Sequence, residues 1–207
     1  MGRLENPRTL IIVTGGPGTG KSYATRKIRE SIEGLTVLSY DDIKEKNWDL
    51  YGFDNAKQKE QINEFGLEEF YLCIRKAMWK GETILIEYPF YQKHKPRLAE
   101  LMDEYAYNVV TVYLFGDLRT VYERGVNRDN DGTRHPGHLT TCYHVETYKE
   151  SGAFVADAML TFEEFCDLMR RKNYDIQLGY TVPVDITDYS RIDYDEMVRQ
   201  IIEHSKI

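Results

Sequence analysis

Residues 15–22 read GGPGTGKS, an octet in which each residue type has something to offer a polyphosphate. Gly15, Gly16, Gly18 and Gly20 carry no side chain to hold a ligand off, so successive backbone N–H groups can point at phosphate oxygens, and Pro17 and Thr19 complete the turn. Lys21 has the reach to meet the β- and γ-phosphates as a point charge, and the Ser22 hydroxyl can serve Mg²⁺. The octet follows the apolar run Thr9–Val13 and precedes an amphipathic stretch. It therefore falls where a strand hands over to a helix whose positive end would face the phosphates. A glycine-rich turn that merely happens to carry a lysine has no need of that setting. The expected ligand of residues 15–22 is ATP with Mg²⁺.

Asp41 and Asp42 follow a second apolar run, Thr36–Ser39, at a strand end of the kind where ligands collect in parallel sheets. A carboxylate there can accept the proton of a hydroxyl that attacks phosphorus. The plainer role is to cap the following helix, and it weighs more on Asp42, which stands nearer that helix. After the fourth apolar run comes DLRTVYERGVNRDNDGTRHPGH, with Arg119, Arg124, Arg128 and Arg134. Arg124 and Arg128 are four apart, a spacing that sets both on one helix face. Such a pair could close over a γ-phosphate and stabilise charge in a transfer transition state; a solvated basic face is the alternative. The run Lys93, His94, Lys95 and Arg97 could meet an anionic substrate, or be a solvated loop.

The elements that must position these groups are five short apolar runs: Thr9–Val13, Thr36–Ser39, Thr83–Ile86, Val109–Phe115 and Val182–Ile186. Helix is expected at 21–32, with Tyr23, Ala24 and Ile28 turned inward, and at 97–106, 117–128 and 192–204. The plainest helix precedes the third strand, with Phe70, Ile74, Ala77 and Met78 on one face and Gly81 as its stop. This alternation predicts an α/β fold, a doubly wound parallel five-stranded sheet forming one domain over 1–207. Within it, 117–138 would be an arginine lid, and 136–180, with no strand of its own and helical around FEEFCDLMRRK, a helical cap. Tyr143, Tyr148, Phe154, Phe162 and Phe165 of that cap could enclose a small substrate, or simply be core.

Composition narrows the classes. Hydrophobic residues at 42% and charged residues at 29% are ordinary globular values and indicate neither disorder nor a membrane span. The net charge of -7 argues against a broad basic surface for long nucleic acid. Cys73, Cys142 and Cys166 are an odd number and lie far apart, which fits a reducing compartment such as the cytoplasm. The start, MGRLENPRTL, lacks the apolar core of a signal peptide, and Gly2 is not followed by the Ser or Thr at position 6 that myristoylation wants, since Asn6 stands there.

Other metal and nucleotide motifs fail on inspection. Asn127, Asp129, Asp131 and Gly132 imitate the start of a calcium loop, but its twelfth position is His138 where a bidentate Glu is needed. His135, His138, Cys142 and His144 have spacings a zinc site could use, yet two of them lie among the lid arginines, whose charge opposes a metal, so no zinc is expected on these four. Asp129–Gly132 spells D-x-x-G after a helix rather than a strand, and no N-K-x-D occurs, so a GTPase switch fails. The third strand ends in one acid and there is no LSGGQ-like segment, so motor and transporter ATPases fit poorly.

The GGPGTGKS loop, the Asp-Asp-aliphatic-Lys stretch at 41–44 and the arginine segment resemble the small P-loop kinases grouped with polynucleotide kinase, zeta toxins and chloramphenicol phosphotransferase. The resemblance covers roughly residues 9–138 and the last strand. It implies a P-loop NTPase fold of nucleoside- or nucleotide-kinase type, Asp41 as proton acceptor, Lys44 near the reacting phosphate, and Arg124 and Arg128 as lid arginines. It also implies that Glu87, which ends the third strand, orients substrate or a Mg²⁺-bound water, the alternative being a solvated strand end. Asp42, Lys44, Glu87 and Arg134 are the candidate substrate contacts. The expected activity is ATP- and Mg²⁺-dependent transfer of a γ-phosphate to a hydroxyl of a small molecule such as a nucleoside, sugar or antibiotic. The alternatives are a kinase of nucleic-acid 5′-hydroxyls and, from another class, a regulatory module that hydrolyses ATP slowly.

Overall fold

The apolar run that leads into the glycine octet forms the middle strand of a sheet. The computed structural model describes residues 8–152 and 154–205, so Gly2 and Asn6, on which the expectation about lipidation turned, lie outside the described residues. Strand β1 (Thr9–Gly15) pairs in parallel with β3 (Ile84–Glu87) on one side and β4 (Asn108–Phe115) on the other. The edges are β2 (Thr36–Ser39) and β5 (Tyr180–Asp185), giving five parallel strands in the order β2-β3-β1-β4-β5. All seven residues of β1 are buried, as expected of a central strand covered on both faces. It runs two residues past the apolar stretch because Thr14 and Gly15 pair with Tyr113 and Leu114.

Alternate residues of β1 enter two cores. Leu10 and Ile12 pack with Phe70, Ile74 and Met78 of α3 (Ala56–Lys80) and Leu98 and Leu101 of α4 (Lys95–Tyr105). Ile11 and Val13 pack with Ala24 and Ile28 of α1 (Lys21–Ser31) and Met197, Val198 and Ile201 of α8 (Tyr194–His204). This is the doubly wound α/β arrangement that the alternation of elements predicts.

One local expectation is corrected. Tyr23 is not inward: it is exposed and packs on Tyr194, while Ala24, Thr25 and Ile28 make the buried stripe of α1. The step of about 100° per residue explains this, because a stripe through 24, 25 and 28 carries residue 23 to its edge. Helix α3 is 25 residues long and starts at the cap residue Asn55, far ahead of the stretch its apolar face marks. Its first turns are polar, and they pack on α2 (Tyr40–Tyr51) at Gly66, where a Cβ would stand 3.1 Å from Asn47 Nδ2.

Beyond β4 lie α5 (Leu118–Asn130), α6 (Val145–Ser151) and α7 (Phe162–Lys172). Of the two readings open for the aromatics of this region, core packing is what most of them do, in two separate places. Tyr143 and Tyr148 join Trp48 and Phe53 beside α2, whereas Phe162 and Phe165 pack against Tyr122 of α5, and Phe154 is exposed. Among the described residues no helix is long and apolar enough to cross a membrane.

Candidate active site

The glycine loop turns from β1 into α1 through left-handed backbone at Gly18 (φ 82°) and Gly20 (φ 80°). A Cβ on Gly18 would stand 2.5 Å from the Val121 carbonyl oxygen of α5, so this position has room for nothing larger. Thr19 is buried and its hydroxyl donates to the Gly16 carbonyl at 2.8 Å, closing the loop on itself. Lys21 Nζ donates to the carbonyls of Gly15 (3.2 Å) and Gly16 (3.0 Å). Helix α1 has no side-chain cap and no acid in its first turn, unlike α2, α3, α5, α7 and α8, which are capped by Ser39, Asn55, Asp117, Thr161 and Asp193. Its first N–H groups and the positive end of its dipole face the loop uncompensated, the setting in which helices bind anions.

Beside the loop, the Ser22 hydroxyl donates to Glu87 Oε1 at 2.6 Å. The register Val13↔Glu87 sets this acid at the end of β3, level with the last apolar residue of β1. A hydroxyl and a carboxylate side by side are the hard oxygen donors that Mg²⁺ accepts, and Mg²⁺ needs only one or two from a protein. These residues fit the ion.

The cap of α2 is Ser39, whose hydroxyl accepts the Asp42 N–H, so neither aspartate is the cap. The two differ sharply. Asp42 is exposed, and partial burial with Glu45 and Asp41 nearby raises its pKa. Asp41 pairs with Lys44 at 2.6 Å. Burial pushes the Asp41 carboxyl up, but Lys44, His138 and Lys21 outweigh it and hold the group well below the usual carboxylate range. Lys44 in turn lies over the rings of Tyr40 (5.2 Å), Trp48 (5.4 Å) and Tyr88 (5.4 Å).

One stripe of α2 continues this chemistry at offsets of three and four residues: Asp41, Lys44, Glu45, Trp48, Asp49. Glu45 Oε1 lies 2.8 Å from His138 Nε2, and Asp49 Oδ1 lies 3.1 Å from His135 Nε2 and accepts the Tyr143 hydroxyl at 2.6 Å. Burial pulls His138 down to about 4, against the hydrogen bond to Glu45, so the ring is neutral at ordinary pH. Sequence reasoning assigned no role to Glu45 and considered His138 only as a metal ligand. The period of α2 could have drawn attention to Glu45; nothing local signals its partner 93 residues on.

The arginines separate. Arg124 donates to the Ile186 carbonyl and, at 3.0 Å, to that of Thr187, and its guanidinium lies 3.6 Å from the Tyr189 ring centroid. Arg128 pairs with Asp129 at 2.7 Å and Arg134 with the same carboxylate at 3.2 Å. The charges acting on Lys21 are Asp41, Glu87, Arg128 and Arg134; burial has the largest influence and lowers its pKa to about 8. Ser22 and Glu87 are in contact beside Lys21, and the charges of Asp41, paired with Lys44, and of Arg128 and Arg134 act on Lys21, while Arg124 turns to the β5–α8 connection. The basic run is elsewhere: Arg97 pairs with Glu68 and covers Tyr71, and His94 is buried against the Tyr71 hydroxyl at 3.3 Å. The four residues weighed for zinc also part, His135 and His138 going to α2, and Cys142 and His144 to Asp54.

The chain has a five-stranded parallel α/β fold that it shares with solved structures described as kinases. It resembles a structure from Chloroflexus aurantiacus provisionally described as a kinase, at TM-score 0.73 and 20% identity over 98% of this chain and 97% of the other. A gluconokinase from Sinorhizobium meliloti aligns at TM-score 0.54 and 14% identity, covering 97% and 93%. The tunicamycin resistance protein of Deinococcus radiodurans aligns at TM-score 0.52 and 14% identity, covering 94% of each chain. No protein-family model matches the chain, and no curated protein matches it by sequence.

Proposed function

We propose that the chain is a kinase that transfers the γ-phosphate of ATP, with Mg²⁺, to a hydroxyl of a small molecule. The observation that carries this reading is the glycine loop running from a buried strand into an uncapped helix, with Lys21 on the loop carbonyls and Ser22 bonded to Glu87 at 2.6 Å. The backbone of residues 15–20 and Lys21 hold the polyphosphate, and Ser22 with Glu87 hold the ion. When bound, Mg²⁺ neutralises charge on the phosphates. Asp41, ionised and beside the loop, takes the acceptor hydroxyl's proton as its oxygen attacks phosphorus. Arg128 and Arg134 face the charge that develops on the transferring group. Lys44 holds Asp41 in place and can turn to the transferred phosphate; Asp42 lies toward solvent on the acceptor side. The gluconokinase among the similar structures and the net charge of -7 support a small acceptor over a long nucleic acid.

The test is a panel of nucleosides, sugars, hydroxylated antibiotics and single-stranded oligonucleotides with ATP and Mg²⁺, read by ADP release and by the mass of the acceptor. ADP release that requires a small acceptor, and is lost in Lys21→Ala, supports the reading. ADP release indifferent to every acceptor would instead make the chain a slow ATPase. Efficient oligonucleotide phosphorylation whose affinity falls with salt, at a log-log slope of about -0.7 per phosphate contacted, would make it a nucleic-acid kinase.

A further inference from the structure

Away from the glycine loop, residues Phe53 and Tyr143 form an isolated antiparallel bridge, each N–H donating to the other's carbonyl at 2.8 Å. Their side chains turn inward onto Trp48. Side chains alternate along extended backbone, so their neighbours Asp54, Cys142 and His144 share the outer face. One ligand atom from each, a carboxylate oxygen, the thiol sulfur and an imidazole nitrogen, all lie within 4.8 Å of one another. His144 Nε2 is 2.8 Å from Asp54 Oδ1. Gly52 lets the ring sit there, since a Cβ at that position would stand 2.3 Å from His144 Nδ1.

We propose that Asp54, Cys142 and His144 form a site for a borderline-soft divalent metal ion, Zn²⁺ by ligand chemistry. Tetrahedral zinc holds nitrogen, oxygen and sulfur at roughly 2.0–2.3 Å, so its ligand atoms stand about 3.5 Å apart, against the 4.8 Å within which the three atoms lie here. Water supplies the fourth ligand, because all three residues are exposed. The thiol and imidazole select Zn²⁺ over Mg²⁺, which wants oxygen. An exposed His–Asp pair by itself contributes little to stability and gives no reason for a thiol beside it. Binding exchanges the Cys142 S–H bond for a sulfur–metal bond and releases one proton to solvent. The ion would tie the α2–α3 connection to the segment entering α6, joining residues 90 apart in sequence. The sequence reading expected no zinc on His135, His138, Cys142 and His144; two of those four, Cys142 and His144, are ligands of the site proposed here, and Asp54, which was not weighed, takes the place of the two lid histidines.

The site is tested by stripping the whole chain with chelator and titrating it with Zn²⁺ and with Co²⁺, whose thiolate complexes absorb strongly in the near ultraviolet. One equivalent should bind saturably, the cobalt form should show the thiolate band, and zinc should raise Tm. Cys142→Ser should lose the band and His144→Ala the rise in Tm, while Cys73→Ser keeps both and excess Mg²⁺ displaces nothing. Near-UV circular dichroism of the metal-free variants should match the parent chain. Absence of a thiolate band, or zinc binding unchanged in Cys142→Ser, would overturn the proposal.

Discussion

Ser22 Oγ and Glu87 Oε1 lie 2.6 Å apart, linking the first turn of α1 to the end of β3. If this pair holds the ion, Ser22→Ala and Glu87→Gln should each raise the Mg²⁺ concentration for half-maximal rate by about 10- to 100-fold, the range for losing a group that supports a metal. Ser22 is exposed and Glu87 only half-buried, so Tm should move little. A Mg²⁺ dependence unchanged in both variants would remove them from the ion.

Asp41→Asn should lower kcat by about 100-fold or more and leave ATP affinity nearly intact, because a general base acts on the acceptor in the transition state. Asp42→Asn should be far milder, since that carboxylate faces solvent. Steady-state kinetics with ATP binding measured separately decides the matter, and a costlier Asp42 would reassign the base. Lys44, His138 and Lys21 keep the Asp41 carboxyl below its ordinary range, so acid should not titrate it until well under pH 4.

Arg124 and Arg128 should behave differently although they share a helix face. Arg128→Ala should lower kcat, by about 100-fold if it faces developing charge. Arg124→Ala should chiefly raise KM for the nucleotide by loosening the connection that carries Ile186, Thr187 and Tyr189. Equal falls in kcat for both would restore them as a pair at the phosphate.

Lys21 gives a pH signature. Burial pulls its ammonium down to about 8, with Asp41 and Glu87 pulling it back up. Above pH 8 the free chain loses this charge, so ATP affinity should weaken by up to about tenfold per pH unit, and Lys21→Met should show no such slope. The fold binds fewer protons here than the unfolded chain does, so stability contributed through this group rises from about pH 8 toward the ordinary lysine value. Lys21→Met should therefore be at least as stable as the parent at neutral pH, read by thermal melts at pH 7 and pH 9.

The strands were legible to within about two residues because short apolar runs between turn signals have few other uses in such a chain. The positions of Lys21 and Ser22 at a strand-to-helix turn and of Asp41 just past the end of β2 were legible because each belongs to a local pattern; their chemical roles belong to the proposal. The arginines were not fully so: helical spacing fixes where their stems start, but the end of Arg124 is captured by carbonyls more than 60 residues later. His138 on Glu45, and Asp54 beside Cys142 and His144, depend on contacts across about 90 residues and leave no mark on the local sequence.

The central place of β1 also sets how the molecule breathes. Its amides are bonded to neighbours on both sides, its residues are all buried, and both faces are covered, so hydrogen exchange there should await opening of the whole sheet. Strands β2 and β5 have one open edge each and should exchange sooner. The glycine loop is thus the extension of the slowest-exchanging strand. Lys21 and Ser22 begin from a floor that local fluctuations barely move, and any motion during turnover falls to the groups that approach from α5 and the turn beyond it.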